Sequence, residues 1–167
     1  MLTASAIQTT TTDFDFRIVV ALIFALMPIS ALPEDAYPLY YAAATGKEQK
    51  VLSELQKGTD INNPNQTGKT PLMAASANGN IRIARLLVAH GADLAIQDKK
   101  GSTALMDAVN FGYYDIAALL ITAGADVNAK NANNLSVFDQ AQKGANKKIV
   151  KLLEAAGARS GAEEKKE

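Results

Sequence analysis

The chain has no cysteine and no tryptophan, and His90 is its single histidine. Without thiols there are no disulfides, no thiolate metal sites and no thiol nucleophile. Metal or acid–base work at His90 would need partner ligands at defined spacing, and none are evident. Charge of one sign is also missing. Lysine plus arginine number 17, as do aspartate plus glutamate, so no strong field points to nucleic acid or an acidic membrane. No apolar run reaches the about 20 residues of a transmembrane helix. The longest, Ile18 to Leu32, has 15. What remains is a 167-residue chain, 48% hydrophobic and 20% charged, in the ordinary range of a single folded soluble domain. The lack of cysteine suits an oxidising compartment and the cytosol equally.

The apolar run has the length of a signal-peptide core. It follows Arg17, is broken by Pro28 and Ser30, and is followed by Glu34-Asp35. Ala31 is the small residue before the expected cut, although Ile29 is larger than cleavage sites prefer. The leader before the core is long and carries Asp13 and Asp15. Residues 1–31 are therefore expected to be a cleaved signal peptide, with an uncleaved membrane anchor as the alternative. Of the 17 basic and 17 acidic residues, one and two fall in the leader, leaving 16 and 15 in residues 32–167.

The rest of the chain repeats every 33 residues. Gly58, Gly91, Gly124 and Gly157 open related runs: Gly58-Thr59-Asp60, Gly91-Ala92-Asp93, Gly124-Ala125-Asp126 and Gly157-Ala158-Arg159. The same step links Ala42, Ala75, Ala108 and Ala141, and it links Pro38-Leu39, Pro71-Leu72, Ala104-Leu105 and Val137-Phe138. A fixed period of this size signals stacked supersecondary units, each needing its neighbours to bury its apolar face. In one unit, Asp98-Lys99-Lys100-Gly101 is a turn and Ser102-Thr103 can cap a helix. Ala104 to Asn110 is a short helix, Phe111-Gly112 breaks it, and Tyr114 to Thr122 is a second helix ended by Gly124. The small Ala42, Ala75, Ala108 and Ala141 mark close approach between units. At the ends, polar residues replace apolar ones: Glu54 stands where Leu87, Leu120 and Leu153 stand later, and Lys143, Lys147, Lys148 and Lys151 crowd the last unit.

These residues resemble the ankyrin repeat family, whose unit carries a turn with Asp and Gly, Thr-Pro-Leu-His, two helices and Gly-Ala-Asp. Thr70-Pro71-Leu72, Gly91-Ala92-Asp93 and Gly124-Ala125-Asp126-Val127-Asn128 match it closely. Met73, Met106, Asp139 and Tyr40 replace the family histidine, so its inter-repeat hydrogen bonds cannot be carried over. The outer units also lose the threonine, as Tyr37 and Ser136. The resemblance implies an all-α solenoid of four helix-turn-helix repeats of 33 residues, at about 33–64, 65–97, 98–130 and 131–160, within a domain of residues 32–160. A charged tail, 161–167, is expected to be disordered.

Most residues that look chemical are explained by the period. Gly68-Lys69-Thr70 resembles the end of a phosphate loop, but Asn63 stands where that loop needs glycine. His90 reads as a helix-end cap. Asp107 and Asp139 read as capping or solvent-exposed acids, and Asp60, Asp93 and Asp126 as turn residues. Phe111 and Tyr113 are different. Their counterparts in the preceding unit are Asn78 and Asn80, and no repeat rule asks for aromatics there. The family resemblance further implies a concave binding surface of turn tips and first helices. Here that surface would comprise Gln66, Lys69, Asn78, Lys99, Lys100, Ser102, Asn110, Phe111 and Tyr113. The expectation is a monomeric, non-enzymatic protein-interaction module, periplasmic or secreted after cleavage behind Ala31. It would bind a protein partner, with no nucleic acid, metal or small-molecule cofactor. The alternatives are an inhibitor or immunity-type protein for an exported enzyme or toxin, or an adaptor tethered through residues 18–32 to the inner membrane, facing the periplasm.

Overall fold

The structure, a computed structural model, describes residues 36–160. The expected leader and the charged tail lie outside them. Among the described residues, the chain from Tyr37 to Ser160 belongs to one compact unit. These residues form eight helices in four pairs: α1 (Pro38–Ala44) and α2 (Glu48–Gln56), α3 (Pro71–Ala77) and α4 (Ile81–Ala89), α5 (Ala104–Asn110) and α6 (Tyr114–Thr122), α7 (Val137–Lys143) and α8 (Lys147–Ala155). The described residues hold no strand beyond a single antiparallel bridge between Lys130 and Ser136, and none of their helices is long and apolar enough to cross a membrane.

The first helices of the pairs pack in a row, α1 on α3, α3 on α5 and α5 on α7. The second helices form a parallel row, α2 on α4, α4 on α6 and α6 on α8. Each first helix has only seven residues, too short to persist alone in water. Packing makes up the difference. Ala42, Ala75, Ala108 and Ala141 are enclosed between units, and Leu72, Leu105, Ile83, Leu87, Ile116, Leu120, Ile149 and Leu153 form a continuous core along the array. Capping helps where a hydroxyl is present. Thr70 and Thr103 each accept from the backbone N–H three residues on, at 3.3 Å. Ser136 does the same for Asp139, and the Asp139 carboxylate accepts from the Ser136 N–H, completing a capping box. Asp139 is thus a cap, as its sequence context suggested. Tyr37 supplies no cap to α1.

Two turns set how closely the units approach. At the tips, the Lys99 N–H donates to the Thr67 carbonyl and the Ala132 N–H to the Lys100 carbonyl, each at 3.0 Å. A Cβ on Gly101 would lie 2.5 Å from the Ala132 nitrogen, and its φ of +72° already favours glycine. At the break between paired helices, the residue after the turn glycine lies on the turn glycine of the unit before. The Asn80 amide donates to the Ala43 carbonyl at 2.7 Å, and the Tyr113 ring covers Gly79. The last unit departs from this pattern. Gly46, Gly79 and Gly112 take φ between +73° and +78°, whereas Ala145 occupies the equivalent turn at φ +52°, with Gly144 one place too early.

Left-handed alanine is disfavoured by about 1–2 kcal/mol, partly offset by the greater chain entropy of glycine. Ala145→Gly should therefore raise stability by about 0.5–1 kcal/mol in urea unfolding. Gly101→Ala, which combines backbone strain with a clash, should lower it by roughly 3 kcal/mol.

Candidate protein-binding surface

The turn tips are shaped by acceptor side chains spaced by the repeat. Asn65, Asp98 and Asn131 each accept from two backbone N–H groups of their own tip through Oδ1, at 2.8–3.1 Å. Asp60, Asp93 and Asp126 each accept from one backbone N–H, two residues on, in the runs leading out of the first three units, confirming their turn role. On this frame Gln66, Lys99 and Lys100 are exposed, and Ser102 is half-buried with its N–H on Asp98.

Lys69 belongs to the same tip row but turns inward. Its Nζ donates to Asp107 Oδ2 at 2.7 Å and lies 3.8 Å from Asp98 Oδ2. Asp107 is neither a cap nor exposed, which corrects the reading from its sequence context: its side chain is 6% accessible. Burial pushes the Asp107 carboxyl above the usual carboxylate range, and the Lys69 ammonium opposes that rise. The phenol of Tyr40, beside the same lysine, is also raised, chiefly by burial. Lys69 thus joins the tip of the second unit to the first helix of the third. The Gly68-Lys69-Thr70 run is fully absorbed by structure: Gly68 lies under the next tip, Lys69 in the ion pair, and Thr70 caps α3.

Glu54, which stands where the later units have leucine, is buried. A hydrogen bond from Lys57 at 2.9 Å holds its carboxyl below the usual range against the cost of burial, helped by Lys50 and Thr59. His90 is exposed at the end of α4, with Nδ1 2.7 Å from the Leu86 carbonyl, as a helix-end cap should be. No group of three or more His, Asp or Glu among the described residues could hold a metal ion.

The remaining residues of the expected surface lie at the other end of the first helices. Asn78 caps the C-terminus of α3, Asn110 is the last residue of α5, Phe111 is its C-cap, and Tyr113 precedes α6. Seven helical residues, about 10 Å, separate this edge from the tips. The nine residues therefore form two groups rather than one, with Lys69 tied down between units. Phe111 is 61% exposed, whereas Tyr113, 36% exposed, covers Gly79 with one side of its ring. Tyr114 is also exposed beside them. Sequence reasoning missed it, although the register that singled out Phe111 would have shown Ile81 and Lys147 at its equivalents.

Paired short helices stacked in two rows, with Asn65, Asp98 and Asn131 bracing the tips of the second, third and fourth units, define a helical repeat scaffold. Comparison with known families matches residues 36–131 to Ankyrin repeats (3 copies), and the chain belongs to the ankyrin repeat family. Such repeats generally serve as protein–protein interaction modules. None of the curated proteins matches the chain at a significant level.

Removing Lys69 would leave a buried carboxylate without its ion-pair partner. Lys69→Met should cost roughly 2 kcal/mol near neutral pH. The sign with pH is fixed by Asp107, whose folded pKa is raised and rises further without the lysine. Once Asp107 is protonated, neither protein has the ion pair, so the difference in unfolding free energy should shrink as pH falls into the acid range. A difference that is constant with pH would show that the pair contributes nothing electrostatic.

Proposed function

We propose that this chain is a non-enzymatic interaction module of the cell envelope, holding one protein partner at the edge formed by Phe111, Tyr113 and Asn110. The observation that carries the reading is Phe111. A large apolar ring that is 61% exposed does little for the fold, and it stands where the preceding unit has Asn78. Burying such a ring against a partner contributes about 2 kcal/mol, and aromatic anchors of this kind dominate protein interfaces. The scaffold beneath is rigid: Tyr113 is seated on Gly79, and Asn146 on Gly112. Little conformational freedom is lost on binding. The tip group of Gln66, Lys99, Lys100 and Ser102 would form a separate, more polar contact.

The envelope assignment rests on the apolar segment between Arg17 and Glu34-Asp35, which supports export with a cut after Ala31.

Phe111→Ala should weaken capture of the partner, identified by crosslinking and mass spectrometry in the native host, by about tenfold or more. Its helical circular dichroism should stay unchanged. Unaltered capture would reject this surface. N-terminal sequencing of the protein recovered from its host should begin at Leu32; a start within residues 1–17 would instead mean a retained anchor.

A further inference from the structure

The Phe111 edge continues into the fourth unit, where it changes character. The Asn146 side chain lies on Gly112, 3.5 Å from where a Cβ would stand, so the turn at 144–146 rests against the turn at 111–113. Lys143, the last residue of α7, is in register with Asn110. Lys147 and Lys148, the first two residues of α8, are in register with Tyr114 and Asp115. All three lysines are exposed, and none is in an ion pair among the described residues.

Stability does not ask for Lys147 and Lys148, whereas Lys143, in the last turn of α7, suits the negative end of its helix. The N-terminus of a helix carries the positive end of its dipole, and an acid there is favoured over a base. The equivalent helices are mixed: Glu48 lies in the first turn of α2 and Asp115 in that of α6, while the first turn of α4 has no acid and carries Arg82. The first turn of α8 holds two lysines and no acid. Asp115 is the one acid on this stretch of edge, so three lysines leave it net positive beside the exposed Phe111, Tyr113 and Tyr114.

We infer that this edge recognises an acidic segment of a protein partner, with an apolar side chain against Phe111 and carboxylates against Lys143, Lys147 and Lys148. The inference rests on the Phe111 surface proposed above and adds the chemistry of what binds there. Neighbouring helices in a stack are about 8–10 Å apart. In an extended segment that distance is roughly three residues, which sets the spacing between the apolar anchor and its acids.

The test uses a fluorescein-labelled synthetic peptide of about 12 residues, with one leucine and Asp-Glu pairs roughly three residues to either side. It is titrated against the full chain by fluorescence anisotropy at about 50 mM and about 300 mM salt. The wild type should bind, and more weakly at the higher salt. Lys147→Glu with Lys148→Glu should weaken binding on the order of tenfold while unfolding at an equal or higher urea concentration, because the acids suit the helix end. That combination separates lost recognition from lost folding. Phe111→Ala should also weaken binding. No binding by the wild type would overturn the inference. So would equal binding by the double lysine variant, or a preference for phosphatidylglycerol vesicles or single-stranded DNA over the peptide. Loss with Phe111→Ala alone would overturn the acidic partner and leave the Phe111 surface standing. Loss with the lysine variant alone would overturn the Phe111 surface itself.

Discussion

Neighbouring units must come close enough to share one core, because no pair of seven- and nine-residue helices can bury its own apolar face. Everything else in the structure is arranged around that approach. Ala42, Ala75, Ala108 and Ala141 are small because the first helices meet there. Gly101 lacks a side chain because the next tip occupies the space, and Gly79 because a ring of the next unit does. The hydrogen bonds between units, from Asn80 to the Ala43 carbonyl or from Lys99 to the Thr67 carbonyl, form only at this separation. Substituting any one of these small residues would disturb a neighbouring unit as well as its own.

Where the units depart from one another, the departures are matched locally. Glu54 replaces a core leucine and is met by Lys57, Lys50 and Thr59. Asp107 stands on a buried helix face and is met by Lys69 from the preceding tip. Gln140, at the equivalent place in the fourth unit, finds no such answer: both atoms of its amide are buried without a hydrogen-bond partner. With the left-handed Ala145, this marks the fourth unit as the least well fitted of the four. The family match likewise covers the first three units and ends at residue 131.

That same fourth unit carries the lysines that extend the Phe111 edge. Lys147 and Lys148 against a helix dipole, an exposed phenylalanine and exposed tyrosines do nothing for folding alone, and they gather on one stretch of surface. The tips differ, since their lysines stand on well-satisfied turns, and one of them, Lys69, serves the fold.

The repeat, the helix pairs and the turn acids were legible directly from residues 33 apart. Backbone turns and small contacts impose the same demand on every unit, and that demand appears in the sequence as recurrence. The role of Phe111 as an unexplained residue was legible for the same reason, as a break in recurrence. Tyr114 escaped because its register was not compared. The pairing of Lys69 with Asp107 was decided only by tertiary structure, whereas Glu54 meets Lys57, Lys50 and Thr59 of its own unit. Each unit alone shows a charge on a helix or a tip, and whether that charge meets solvent or a neighbour depends on what the adjacent unit brings within 3 Å. The division of the expected surface into two groups is of the same kind. Residues adjacent in the chain's logic, such as Ser102 and Phe111, lie at opposite ends of one short helix, and only the stacked array shows what each end faces.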